Sequence, residues 1–345
     1  MRTGLILATL LAPFLVSGQG QSRLENKVRK QLDRGKAYPA IRNATALIGK
    51  QDNAEFRVLR AEGYNMIGEH AKAEADARAS LKQRPEGNTP ALMQLATAEQ
   101  GQGQWDSAAA HLQTILDHSP DLEARFQLAT VEQRQGKLDS AMANINQALA
   151  PFAPDDATAT KLHRLKGEIA AMLGDTALAK AELDRAVSLA PSDPVNYNSR
   201  AYYLHAWRGD HRAAIADYDR AIKLNPNYSY AFNNRGWSRY KLGETAKGVR
   251  DIGRAKQKKK SNPYVYRNLG MIALETGDST KACAFFRQAL DWGFTAQFGP
   301  EVEEKMAASC SLPTGSKAQP PVQHPPQDHP DRRNGTPLPR TNAPQ

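Results

Sequence analysis

Eight glycines recur along this 345-residue chain at almost constant spacing: Gly35, Gly68, Gly103, Gly136, Gly174, Gly209, Gly243 and Gly277. The steps between them are 33, 35, 33, 38, 35, 34 and 34 residues. A period in this range marks an array of stacked supersecondary units, each too small to bury its own apolar face. Two further residue classes keep the same register. Five residues after each glycine stands a small residue: Ala40, Ala73, Ala108, Ala141, Ala179, Ala214, Gly248 and Ala282. Seven before it stand Val28, Ala61, Ala96, Ala129, Gly167, Gly236 and Gly270; for Gly209 the match, Ala201, is eight before. Pro85, Pro120, Pro191 and Pro226 close four of the units.

Each unit reads as helix, glycine turn, helix. Tyr266, Leu269 and Ala273 fall on one helical face before Gly277, and Ala282, Phe285, Phe286 and Ala289 recur at helical spacing after it. A glycine can take the left-handed conformation that ends a helix. Small residues let two helices approach, so Gly270 and Ala282 are expected at the contact between the helices of one unit. Composition agrees: there are 53 alanines, the best helix former, and aromatics are only 7%. An all-β fold would want more aromatic and β-branched residues in alternation.

The pattern resembles the tetratricopeptide repeat family over residues 21 to 296. Tyr266-x2-Leu269-Gly270 with Ala282-x3-Phe286 follows the family pattern, as does Ala214-x3-Tyr218 with Pro226. Weaker copies are Ala179-x3-Leu183 with Pro191 and Ala108-x3-Leu112 with Pro120. The resemblance implies an all-α, right-handed superhelical solenoid. The eight repeats are expected at about 21–53, 54–88, 89–121, 122–155, 160–193, 194–228, 229–262 and 263–296. Three departures stand out: Pro151-Phe152-Ala153-Pro154 lengthens the fourth unit, the sixth carries one extra residue before Gly209, and the seventh lacks a closing proline.

The two ends differ from the body. Arg2, the apolar run Leu5 to Val16 and the small residues Ser17-Gly18 have the form of a secretory signal over residues 1–18. The mature chain is then expected outside the cytoplasm, periplasmic or extracellular, with no transmembrane segment. Gly299-Pro300 opens a short helix to Cys310, read as a cap (299–310) on the last repeat's uncovered face. From residue 311 to 345 there are nine prolines and no aromatic, a composition that buries too little to order itself. The cysteines are Cys283 and Cys310. If the cap helix returns antiparallel to the second helix of the eighth repeat, the two sulfurs meet, and a disulfide is expected.

No catalytic constellation is legible. HExxH, GxSxG, the phosphate loop and a strand-borne GxGxxG are all missing, and Gly101-x-Gly103 belongs to a repeat turn. The eight histidines are scattered, so no metal site, cofactor or enzymatic activity is expected. The resemblance implies that the first helix of each unit lines a concave face where a protein or peptide partner binds. The side chains expected there are Asn198, Tyr202 and His205, then Asn233, Trp237 and Tyr240, then Arg267 and Met271. These amide, aromatic and cationic groups are of the kinds that anchor interfaces. The formal net charge is +10, and its densest basic cluster is Arg250, Arg254, Lys256, Lys258, Lys259 and Lys260. No nucleic-acid-binding motif accompanies it, so it reads as a solvated face. The alternative is an adaptor or carrier for an acidic cell-envelope polymer such as a polysaccharide.

Overall fold

The computed structural model describes residues 12–153 and 155–310, with the backbone alone over 12–22 and at Gln297. The first eleven residues of the expected leader, and the whole proline-rich segment 311–345, lie outside the described residues. Among the described residues every regular element is helical. Helix pairs follow one another in chain order: α1 (Ala12–Asp33) and α2 (Ala37–Lys50), α3 (Ala54–Ile67) and α4 (His70–Gln83), α5 (Thr89–Gly101) and α6 (Trp105–His118), α7 (Leu122–Arg134) and α8 (Leu138–Leu149). After a 3-10 turn come α9 (Thr160–Met172) and α10 (Thr176–Leu189). Then α11 (Pro194–Ser199) continues through a π-helical stretch, Arg200–His205, and a 3-10 turn, Ala206–Arg208, into α12 (His211–Leu224). The series ends with α13 (Ser229–Lys241) and α14 (Thr245–Lys258), α15 (Pro263–Glu275) and α16 (Ser279–Asp291), and the short α17 (Phe294–Phe298) and α18 (Glu301–Ser309).

All eight ladder glycines have φ between 70° and 86°, the left-handed region that stops the first helix of each pair and releases the second. The irregular places in the sequence are absorbed differently. The surplus before Pro154 becomes a loop and the 3-10 turn Ala157–Ala159. The extra residue before Gly209 is taken up inside the helix, as the π-helical stretch. A π-turn is how an α-helix accommodates one inserted residue without breaking.

The chain divides into two compact units after Gly101, inside the third helix pair. The first holds α1 to α5. Its cores gather Val28, Leu32, Leu47, Phe56 and Leu59, and then Ala61, Ala73, Ala77 and Leu95. The second holds α6 to α18. Its largest core runs through the last two repeats and includes Ile252, Val265, Tyr266, Phe286, Phe294 and Val302.

Small residues bring the paired helices together as expected, though with individual partners. A Cβ on Gly270 would stand 2.5 Å from the Phe286 ring, and one on Gly167 would stand 2.7 Å from Leu183. At the seventh repeat two glycines face each other, and a Cβ on Gly236 would lie 2.7 Å from the Gly248 carbonyl oxygen. Backbone cannot rotate away as a side chain can. Gly236→Ala gains about 1 kcal/mol of helix propensity but overpacks at a cost of about 1–3 kcal/mol. A net loss of stability is expected, read as a lower urea midpoint; an unchanged or raised midpoint would show that the crossing is looser than this.

Beside the small residues sits an ionic clamp. Arg60 directly precedes Ala61, and its guanidinium grips Asp76, three residues past Ala73, at 2.6 and 2.8 Å. Arg200 precedes Ala201 and holds Asp217, three past Ala214, at 2.8 and 2.7 Å. Arg235 precedes Gly236 and holds Asp251, three past Gly248, at 2.7 and 2.8 Å. Lys166 and Glu182 keep the same register in the fifth repeat, 3.2 Å apart. Two parallel N–H donors on one carboxylate fix orientation as well as charge, so these clamps set how the two helices of a pair cross.

The last helices fold back on α16. Val302 and Met306 of α18 join the core there, and Cys283 and Cys310 form a disulfide with a Cα separation of 5.8 Å. The disulfide expected from the sequence is thus present.

Candidate functional site

Three first helices of the second unit, α11, α13 and α15, carry the side chains singled out from the sequence. Their amides form one string. Asn234 Nδ2 donates to Asn198 Oδ1, Asn233 Nδ2 to Asn234 Oδ1, and Asn268 Nδ2 to Asn233 Oδ1, each at 3.1 Å. The string ends where Arg267 Nη1 donates to Asn268 Oδ1 at 2.8 Å. Asn233 is only 1% exposed, so its amide aligns its neighbours rather than meeting solvent. Asn234 and Asn268 had no signal of their own in the sequence, because each lies one residue from a position already chosen.

The aromatics divide into two groups. Tyr202 and Trp207 are 43% and 54% exposed, with stacked rings 6.5 Å apart. Tyr203 meets both edge-on, at 4.9 and 5.9 Å. This cluster lies in and just after the π-helical stretch, which rotates the end of the helix relative to its start. Burial raises the titration of both Tyr202 and Tyr203, Tyr203 much the further. Arg267, Glu301 and Arg134 lie close enough to act on the Tyr202 hydroxyl. The second group is Trp237 and Tyr240, with rings 5.6 Å apart. Trp237 rests partly on the core and is flanked by two cations, Lys241 at 4.9 Å and Arg267 at 5.1 Å from its centroid. Tyr240 donates to Glu275 at 2.6 Å, a bond to a carboxylate that pushes its hydroxyl up to about 12. Met271 is half-buried against the last core. His205 stands 3.9 Å from Asp217, the acid of the Arg200 clamp.

The basic cluster lies along α14 and the turn after it. Part of its charge is spent within the fold. Arg254 lies 3.6 Å from Asp251, Lys258 donates to Asn227 at 2.9 Å, and Lys256 and Lys259 sit over the Tyr266 and Tyr230 rings. Arg250 and Lys260 point into solvent. Lys256 and Lys258 in the last turn also suit the negative end of the α14 dipole. Among the described residues no three His, Cys, Asp or Glu side chains come together as a metal site. No helix among them is long and apolar enough to cross a membrane.

Comparison with known families places this geometry. Tetratricopeptide repeat families match residues 93–157 and 127–194 and again 263–292, and a TPR repeat family matches residues 207–243. This chain is a tetratricopeptide repeat protein. No curated protein matches it. Two solved structures share its fold. One is a tetratricopeptide repeat protein from Parabacteroides merdae, 17% identical, with a TM-score of 0.58 over 75% of this chain and 99% of that one. The other is the APC/C hetero-tetramer Cut9–Hcn1, 15% identical, with a TM-score of 0.56 over 82% of this chain and 55% of that one. A tetratricopeptide repeat protein is a repeat scaffold for protein interaction. In this one the amide string runs over the first helices of the sixth, seventh and eighth pairs, and the exposed aromatics Tyr202 and Trp207 lie just after α11 in the sixth.

Proposed function

We propose that the chain is a non-catalytic scaffold or assembly factor that binds a protein or peptide through the first helices of its second unit, outside the cytoplasm. The observation that carries this reading is the exposed Tyr202–Trp207 stack beside the amide string on neighbouring helices. Large aromatics give contact area at small cost in rotamer entropy, and aligned amides suit a peptide backbone. The leader-like residues 1–18 and the disulfide support an exported, oxidising setting. The helices α17 and α18 act as the cap of the last repeat. The polymer-carrier alternative draws less support, because several of the α14 cations already have partners within the fold.

The test is crosslinking capture with the full chain and with a Tyr202→Ala/Trp207→Ala variant. Both side chains are exposed, so the variant is expected to melt within about 1 kcal/mol of the parent. It should lose at least tenfold in affinity for the captured protein. Undiminished capture by the variant would sink this surface, and recovery of polysaccharide instead of protein would favour the carrier.

A further inference from the structure

The second unit already holds a segment of its own chain against Arg267, at the end of the amide string. Phe298 stacks on Tyr264 with centroids 4.4 Å apart, and Phe294 meets the same ring edge-on at 5.4 Å. The Arg134 guanidinium lies over the Phe298 ring, 5.4 Å from its centroid. Three residues after Phe298, the Glu301 carboxylate takes both ends of the Arg267 guanidinium, whose Nε donates at 3.1 Å. Arg267 is the residue that ends the amide string and covers Trp237. The chain's own segment therefore occupies the cationic end of the surface proposed above.

The same segment is tied far away in sequence. The Trp105 indole donates to the Ala296 carbonyl at 3.1 Å, across 191 residues. A Cβ on Gly103 would stand 2.5 Å from that carbonyl. The fit at this seam is incomplete, since Thr295 Oγ1 and Gln135 Oε1 are buried without a hydrogen-bond partner. Such orphaned atoms destabilise a contact by the cost of stripping their water. Two glycines in the positive-φ region, Gly293 and Gly299, bound α17 on either side.

Accepting the scaffold reading, we propose that Phe298–Glu301 is a built-in stand-in for the partner. The surface of Tyr264, Arg134 and Arg267 then recognises a peptide presenting an aromatic residue followed, three positions later, by a carboxylate. The aromatic ring packs against the tyrosine and the guanidinium, and the carboxylate takes the paired N–H donors of Arg267. The internal copy competes at a high effective concentration, so an incoming peptide must displace it.

The probe is a fluorescein-labelled peptide with the sequence of residues 293–309, followed by anisotropy. The full-length Phe298→Ala/Glu301→Ala variant is expected to bind it at least tenfold more tightly than the wild-type chain. Adding Arg267→Ala should reverse the gain, and a probe carrying alanine at both key positions should not bind. Equal affinity of wild type and double variant, or indifference to Arg267→Ala, overturns the proposal. If melting curves show the double variant unfolded, Trp105→Phe removes only the indole tie to Ala296. It should tighten probe binding about threefold, and no change there also overturns the proposal. A protein captured through Tyr202 and Trp207 while the probe ignores every variant overturns this inference alone and leaves the scaffold standing. Probe binding as expected from a chain that captures no protein supports this inference and removes the wider scaffold reading.

Discussion

Asp251→Ala is expected to lower the stability of the second unit by about 3–5 kcal/mol, the usual result of removing one partner from a buried ion pair. Asp251 is 1% exposed and takes two N–H donors from Arg235 and one from Arg239, with Arg254 close by. Burial works against the charge on Arg235; its bonds to Asp251 and Asp219 more than reverse that. Without Asp251 the cation loses its bidentate partner. Asp219, at 2.6 Å, still accepts one bond, so the loss should fall in the lower half of that range. Unfolding curves of the two proteins give the difference directly. The reverse experiment is as informative: Arg235→Met combined with Asp251→Leu replaces the pair by apolar groups and should recover most of the loss. A single substitution costing under about 1 kcal/mol would mean that the clamp is solvated and that the small-residue crossing alone holds α13 on α14.

The second large effect belongs to the disulfide. Cys283 and Cys310 are 27 residues apart in sequence, and closing a loop of that size contributes roughly 3–4 kcal/mol in the chain-entropy model. In an array each unit packs mainly on its neighbours, and the ties of this end to Trp105 and Arg134 involve α17 rather than the bridged α16 and α18, so most of the loss should stay at the chain's end. Cys283→Ser/Cys310→Ser is therefore expected to open α15–α18 below the main transition while the earlier repeats melt as before. Hydrogen exchange resolved along the sequence would show amides of α18 and α16 losing protection first. Uniform protection in the double variant would place the stability of that end in Val302 and the Phe294 cluster instead.

The sequence made the helix pairs legible because one chemical demand repeats at each turn: Gly35 and its seven successors must all enter the left-handed region. The close crossings were legible for the same reason, since only small side chains fit at Gly167, Gly236 and Gly270. The clamps were not picked out. Their signal is present as an Arg or Lys just before the first small residue and an acid three past the second, but it holds in four repeats and not the others. The third and eighth repeats have Leu95 with His111, and Leu269 with Phe285, in those places. The candidate surface was half legible. Helical phase pointed to Tyr202, Trp237 and Arg267, while Trp207 was displaced from the expected phase by the extra residue. The contact of Trp105 with Ala296 leaves no periodic trace, because it joins parts of the chain 191 residues apart. Phe294 and Phe298 carry no periodic signal either, because their contacts lie outside the repeat pattern.

The π-helical stretch Arg200–His205 has a consequence for how such a chain can change. One residue advances an α-helix by about 100°. An insertion placed in the glycine turn would merely lengthen a loop. Placed within the helix, it re-aims every side chain on one side of itself while the pairing partners on the other side stay put. Arg200 keeps Asp217, Ala201 keeps its crossing, and Trp207 turns outward. Deleting one residue between Tyr203 and Ala206 should rotate that indole back toward its neighbours with little change in the path of the backbone. A repeat can thus acquire a new outward face by a single codon's gain, without renegotiating the contacts that keep it in line.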